Sequence, residues 1–355
     1  MGFGKFVPMN RRRKLKYIVQ QHPILVNALI TVLSIGLTVS FLELLLGYLN
    51  ARNAVNLAKN WHGLNRLDPD FGYKARANDS VIDNCYRNGV PLYSVVYSTD
   101  AYGHRVTPVE HREKRHKFLA LFGCSMVFGL GVNDDQTIAA CLGRCLPDYM
   151  PYNFAYQGYG AQQMLLTLQG PIESEIQEKE GVGIYVFIMA HVNRAVGGMN
   201  FLNNWGRDCP CYYLDGEELK RNGSFATAHP WRLKVLRLLG RSETLKYCKF
   251  TWPLWTRRAD VKLTARIIQE AEKVFHQKWP TSPFYVVLYP TKDTTRSSHH
   301  IKPFLDEYGL RYIECPDVFD GLTPVKLRTV DGGHPSAIAN EIFAERLVEE
   351  LGLTR

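Results

Sequence analysis

Ile24 to Leu42 is a run of 19 residues without one Asp, Glu, Lys, Arg or His, and its apolar character continues past Glu43 to Leu49. A helix rises about 1.5 Å per residue and a bilayer's hydrocarbon core is about 30 Å thick, so roughly 20 such residues make one crossing. A buried soluble helix is the competing reading, but a basic head of Lys5, Arg11, Arg12, Arg13, Lys14 and Lys16 precedes the run. Positive flanks stay cytoplasmic. The sequence therefore predicts a cytoplasmic segment over residues 1–21, a transmembrane helix over 22–49 in contact with the lipid bilayer, and an extracytoplasmic remainder. Cleavage as a signal peptide fits less well, because Tyr48-Leu49-Asn50-Ala51-Arg52 is a poor small-x-small site. The expected location is the inner membrane, single-pass, with a periplasmic body.

The same head accounts for most of the charge. The 355-residue chain carries a formal +9, which taken alone suggests a nucleic-acid partner; six of those charges precede residue 17, leaving +3, so that partner is set aside. A hydrophobic content of 46% suits a packed body and argues against disorder. Eight cysteines fit an exported domain in which disulfides persist, with Cys209 and Cys211 each able to pair with Cys85 or Cys248. Zinc at this cluster is disfavoured, since no second pair with ligand spacing lies nearby.

Residues 50–115 read as a helical stalk over 51–65 followed by a small strand-bearing lead-in. From residue 116 the pattern changes. Five short apolar runs, Phe118–Phe122, Tyr152–Tyr156, Ile184–Met189, Phe284–Tyr289 and Arg311–Cys315, alternate with helical stretches at Ile138–Leu146, Gln162–Glu178, Val261–Trp279 and Ser336–Leu351. Strands alternating with helices imply an α/β fold, a parallel sheet covered on both faces. A polar, aromatic-bearing insertion over 195–257 interrupts it, either a substrate lid or a disulfide-braced cover. In open sheets of this kind, ligands bind beyond the C-terminal strand ends.

The loop after the first run reads Gly123-Cys124-Ser125-Met126-Val127-Phe128-Gly129-Leu130-Gly131. It lacks the third glycine of a dinucleotide loop, where Asp134 stands, and the Gly-Lys-Ser/Thr ending of a phosphate loop. A serine between a buried strand and a helix is where a nucleophile belongs. Its hydroxyl needs an oriented base. Asp331-Gly332-Gly333-His334, just before the last helix, supplies a carboxylate and an imidazole three residues apart. Candidate oxyanion donors follow successive strands: the Ser125 amide, the Gly158 amide and the Asn193 side chain. His191 and Arg194, beside Asn193, are possible substrate-binding residues.

Together these blocks resemble the SGNH (GDSL-like) hydrolases, over about residues 116–352. Gly123-Cys124-Ser125 is similar to that family's Gly-Asp-Ser block. Asn153 to Gly160 looks like its second block, His191-Val192-Asn193-Arg194 like its Gly-x-Asn-Asp block, and Asp331 to His334 like its Asp-x-x-His. Cys124, His191 and Arg194 depart from the pattern at groups that brace loops. Ser98 to Arg105 also looks like the lead-in of membrane-anchored bacterial members. The resemblance implies a three-layer flavodoxin-like sandwich with a five-stranded parallel sheet over 116–355. It implies a serine esterase or acyl-transfer enzyme working through an acyl-Ser125 intermediate, with His334 as base, Asp331 as its orienter, and no cofactor or metal. Topology adds an O-acyl or O-acetyl ester of a cell-envelope glycan or lipid as the substrate class. The alternative is an inactive SGNH-like binding or assembly subunit of a surface-polysaccharide system.

Overall fold

The computed structural model describes residues 20–53, 57–59, 61–290, 294–329 and 333–353. The chain divides into two compact units. One joins the N-terminal helix α1, Pro23–Asn53, to Arg241–Phe250; the other holds Val55–Gly240 and Thr251–Arg355. α1 is the one helix, among the described residues, long and apolar enough to cross a membrane, with a mean hydropathy of 2.2. It stops at Asn53, three residues into the expected stalk: Leu57–Lys59 is a strand, β1, paired with a later hairpin, and residues 61–64 form a 3-10 turn that buries Leu64. Tertiary pairing overrides local helix propensity there.

β2 (Asn65–Asp68) and β3 (Gly72–Ala75) form one antiparallel pair; β4 (Ser80–Arg87) and β5 (Val90–Ser98) form a hairpin on which β1 rests. Then the alternating part begins. β6 is Lys117–Phe122, α2 Ser125–Phe128, α3 Ile138–Cys145, β7 Tyr149–Asn153, α4 Ala161–Gln169 and β8 Glu180–Phe187. The insertion contains α5 (Ala190–Ala195), α6 (Met199–Asn204), the hairpin β9 (Pro210–Asp215) and β10 (Glu218–Ser224), α7 (Phe225–Ala228), α8 (Pro230–Leu239) and α9 (Glu243–Tyr247). α10 (Arg258–Lys278), β11 (Phe284–Leu288), α11 (Thr294–Glu307), β12 (Tyr312–Glu314), α12 (Pro324–Leu327) and α13 (Ala337–Glu350) complete the chain.

The main sheet is five-stranded and wholly parallel, in the order β12-β11-β8-β6-β7. Its strands alternate faces with a period of two. Leu119, Leu121, Ile184, Val186 and Val287 pack with α3 and α13 on one side. Phe118, Ala120, Phe122, Tyr185, Phe187 and Val286 pack with α4, α10 and α11 on the other. This is the expected flavodoxin-like three-layer α/β sandwich. The connection reverses direction after β7, so the topological switch point lies beside the C-terminal end of β6.

Several boundaries differ from the sequence expectation. The second strand covers 149–153, not 152–156: the ladder to β6 closes with the Phe154 amide on the Leu121 carbonyl at 2.9 Å, and Ala155 and Tyr156 are buried in the following loop. The helix expected to reach Glu178 stops at Gln169, where Gly170-Pro171 removes a backbone donor and ends it. None of the eight cysteines is joined in a disulfide, so the disulfide-braced cover is not what is found. The insertion's hairpin instead packs on α4 and α10.

Candidate active site

β6 carries the chain to the switch point, and Ser125 opens α2 immediately beyond it, with Cys124 as the N-cap residue. The first amide of a helix has no acceptor within the helix, so the Ser125 N–H is left for another partner. The side chain is nearly enclosed, 9% exposed. Its Oγ lies 2.9 Å from Nε2 of His334, across 209 residues of sequence.

The loop bearing His334 is pinned from several directions. Its carbonyl accepts the Thr329 amide at 2.8 Å, and Arg328 and Pro335 form an antiparallel bridge. Ser336 caps α13 through the Ala339 amide, while Asn340 Nδ2 donates to the Gln136 carbonyl at 2.9 Å and ties α13 to the loop that follows α2. Asp331 lies outside the described residues.

The Ser125 loop is held by residues that the sequence pattern did not single out for that role. Arg105 is 2% exposed and donates to the carbonyls of Phe128 (3.1 Å), Gly129 (3.4 Å), Val132 (3.0 Å) and Val96 (3.2 Å). Its Nε also pairs with Asp134 Oδ1 at 2.6 Å, and its guanidinium stacks over the Tyr97 and Phe128 rings. A planar fork with five donors is the group that can serve so many diverging acceptors. The buried Tyr97 hydroxyl donates to Asp83 at 2.7 Å and accepts the Gly131 amide at 2.9 Å. Asn153 adds a bond from Nδ2 to the Val127 carbonyl at 2.9 Å. The side chain of Cys124 lies in the apolar core, so the loop is braced by Arg105, Tyr97 and Asn153. An isolated arginine in a polar lead-in has no periodicity or motif spacing from which this could be read.

Gly158 follows β7 in a left-handed conformation, φ +76°. A Cβ there would strike the Tyr73 hydroxyl and Trp205 Nε1, so both the backbone angle and the space demand glycine. Tyr73 donates to the Gln157 carbonyl at 2.6 Å; burial holds its phenol well above the ordinary range, so it stays a donor. Trp205 Nε1 reaches the Gly158 carbonyl at 3.4 Å, bringing the insertion onto this loop. The Gly158 amide has no hydrogen-bond partner among the described residues.

Asn193 sits in α5 after β8, exposed, with a side-chain amide that is also unpartnered among the described residues. Its neighbours turn inward. His191 is 0% exposed, with Nδ1 at 2.6 Å from the Tyr185 hydroxyl. Burial, and then the Arg194 guanidinium, push its imidazole well below the ordinary value, so it stays neutral. It has no surface through which to meet a substrate. Arg194 donates to the Tyr159 carbonyl at 2.5 Å, and its own carbonyl accepts Gln162 Nε2 at 2.9 Å. The first contact locks the Gly158–Gly160 loop to α5, and the second ties the start of α4 to it.

No family model matches this sequence, and no curated protein matches it. Solved structures similar to the chain include a member of the lipolytic protein G-D-S-L family from Veillonella parvula, 10% identical, TM-score 0.41, covering 67% of this chain and 99% of its own. Another is a family 3 carbohydrate esterase of Clostridium thermocellum, 9% identical, TM-score 0.39, with 66% and 94% covered. A third is an acetyl xylan esterase from the rumen bacterium Butyrivibrio proteoclasticus, 13% identical, TM-score 0.39, with 78% and 71% covered.

Proposed function

We propose that this chain is a membrane-anchored SGNH-type serine hydrolase or O-acyltransferase whose nucleophile is Ser125. The observation that carries the reading is the 2.9 Å approach of His334 Nε2 to Ser125 Oγ at the sheet's switch point. A serine hydroxyl is too weak an acid to attack alone, and an imidazole at hydrogen-bond distance is the general base it needs.

In this mechanism Ser125 Oγ bonds to the carbonyl carbon of an ester while His334 takes the hydroxyl proton. The negative charge on the carbonyl oxygen meets the amides of Ser125 and Gly158 and the side chain of Asn193. Collapse breaks the bond to the alcohol, which leaves with the proton from His334, and an acyl-Ser125 ester remains. Water or an acceptor hydroxyl then attacks, passing its proton through His334 and restoring Ser125. Asp331, in the Asp-x-x-His spacing, holds the imidazole in the tautomer with a free Nε2. His191 and Arg194 brace α5 and the Gly158 loop in this scheme.

The apolar α1 behind a basic head supports an anchor in the inner membrane, N-terminus inside, with the catalytic unit in the periplasm. That side of the membrane offers envelope glycans and lipids, and the substrate we assign is an O-acyl, most simply O-acetyl, ester of one of them. The test is turnover of 4-nitrophenyl acetate by the full chain in detergent. Wild type is expected to release 4-nitrophenol catalytically, and Ser125→Ala and His334→Ala are expected not to. A folded wild type no faster than Ser125→Ala would favour an inactive assembly subunit.

A further inference from the structure

Helix α8 is apolar on two opposite sides. Leu236 is buried. On the other side Trp231, Val235 and Leu238 form a single stripe at i, i+4 and i+7, and they are 75%, 53% and 69% exposed. Further along the chain Trp252, Leu254 and Trp255 are exposed as well. Exposed large apolar side chains gathered in one short segment mark a surface that something covers.

The charge of the segment says what kind of surface. Residues 230–258 hold eight Lys or Arg and one acid, Glu243, a net +7, whereas the whole chain beyond residue 16 carries only +3. The rest of the body is therefore net acidic, and this stretch of sequence holds a large share of its cations, of which Lys246 pairs with Glu243 and Arg257 with Asp260 while Lys234 and Arg237 lie exposed on α8. Lys234 Nζ lies 4.5 Å from the Trp231 ring centroid. Indole rings flanked by long basic side chains are the composition of a helix lying in a headgroup layer, with rings at the acyl boundary and cations among phosphates.

Chain continuity leads to the same membrane. Between α8 and the Trp252 loop runs Arg241–Phe250, which belongs to the unit of α1. Glu43 is the first ionisable residue after the 19-residue apolar run. Its carboxylate accepts from Ser242 Oγ and the Glu243 amide at 2.6 Å each and from the Thr244 amide at 3.3 Å, while Asn50 Nδ2 donates to Glu243 Oε2 at 2.9 Å. A run of about 20 helical residues spans the hydrocarbon core, so by length Glu43 stands at headgroup level. The chain thus leaves α8 at Gly240 and returns at Thr251 through a segment fastened to the outer end of the membrane-crossing stretch.

We infer that α8 and the Trp252–Trp255 loop rest in the headgroup region of an anionic bilayer, the one that α1 crosses. This rests on the proposed anchor. Full-length protein is reconstituted in phosphatidylglycerol/phosphatidylcholine vesicles with brominated acyl chains, and tryptophan emission is measured. Three of the six tryptophans are the exposed Trp231, Trp252 and Trp255, so bromolipid is expected to quench about half of the emission, with most of that quenching lost in Trp231→Phe/Trp252→Phe/Trp255→Phe. Lys234→Glu/Arg237→Glu, and vesicles of phosphatidylcholine alone, are expected to reduce the quenching too.

Quenching as strong in the triple variant as in wild type, or indifferent to anionic lipid, overturns the contact. So does a cross-linked dimer that the triple variant loses, since a second copy would then cover the face. Alkaline carbonate washing separates the two readings: protein retained but unquenched refutes the interfacial contact alone, whereas protein released refutes the anchor as well.

Discussion

Replacing Arg105 by lysine tests whether the lead-in holds the Ser125 loop in place. Lysine keeps the positive charge beside Asp134, but one ammonium on a flexible stem cannot reach the carbonyls of Val96, Phe128, Gly129 and Val132, which the guanidinium serves together. Two or three buried acceptors are then left unfilled, at about 1 kcal/mol each where water can partly enter. A loss of roughly 2–3 kcal/mol corresponds to a melting temperature lower by roughly 5–10 °C. Phe128 and Gly129 end the turn that begins at Ser125, with the Gly129 amide bonded to the Ser125 carbonyl at 3.1 Å, and a displacement of about 1 Å at a reacting group costs on the order of 100-fold in rate. Thermal denaturation and 4-nitrophenyl acetate turnover of the full chain in detergent read the two effects. Wild-type stability together with wild-type turnover in Arg105→Lys would refute the bracing role.

Gly158→Ala must adopt φ +76° against Tyr73 and Trp205. It is expected to cut turnover by about 100-fold, the worth of one oxyanion donor; unchanged turnover would remove Gly158 from the oxyanion site. Asn193→Ala is expected to lower kcat by a similar factor of about 100 with little change in KM, because its amide acts on charge that develops in the transition state. A rise in KM alone would make it a ground-state substrate contact instead. Buried neutral His191 gives a pH dependence of stability. Its folded pKa lies below the unfolded value of about 6.5, so only the unfolded chain takes up the proton. Its contribution is complete above about pH 6.5 and lost as pH falls below it, by up to about 1.4 kcal/mol per pH unit. Denaturant midpoints between about pH 8 and pH 5 should fall less steeply in His191→Gln than in wild type; equal slopes would contradict this.

The alternating layers were legible because β6 and β8 are buried on both faces and read as continuous apolar runs, while α10 and α13 bury a stripe against them. Ser125 and His334 were legible because each directly follows or precedes such an element. Phe154 to Tyr156 misled the second strand's boundary: an apolar run records burial, and a buried loop is as apolar as a strand. The lead-in read as an appendage, yet Leu64, Phe71, Val95 and Tyr97 share a core with the sheet, and Arg105 reaches the carbonyl of Phe128 in the Ser125 helix. Such long-range polar contacts depend on how the chain returns on itself, which leaves no local period. Charge was misread differently. A remainder of +3 looked ordinary only because residues 230–258 and an acidic body cancel in the sum.

The proposed acyl transfer depends on Ser125 being a nucleophile activated by His334. Intact-protein and peptide mass spectrometry after treatment with a fluorophosphonate test this directly. One phosphonyl group is expected on the folded wild-type chain, mapped to Ser125, with none on Ser125→Ala and much slower labelling of His334→Ala. An unlabelled wild type, or a label on another residue that persists in Ser125→Ala, would contradict it.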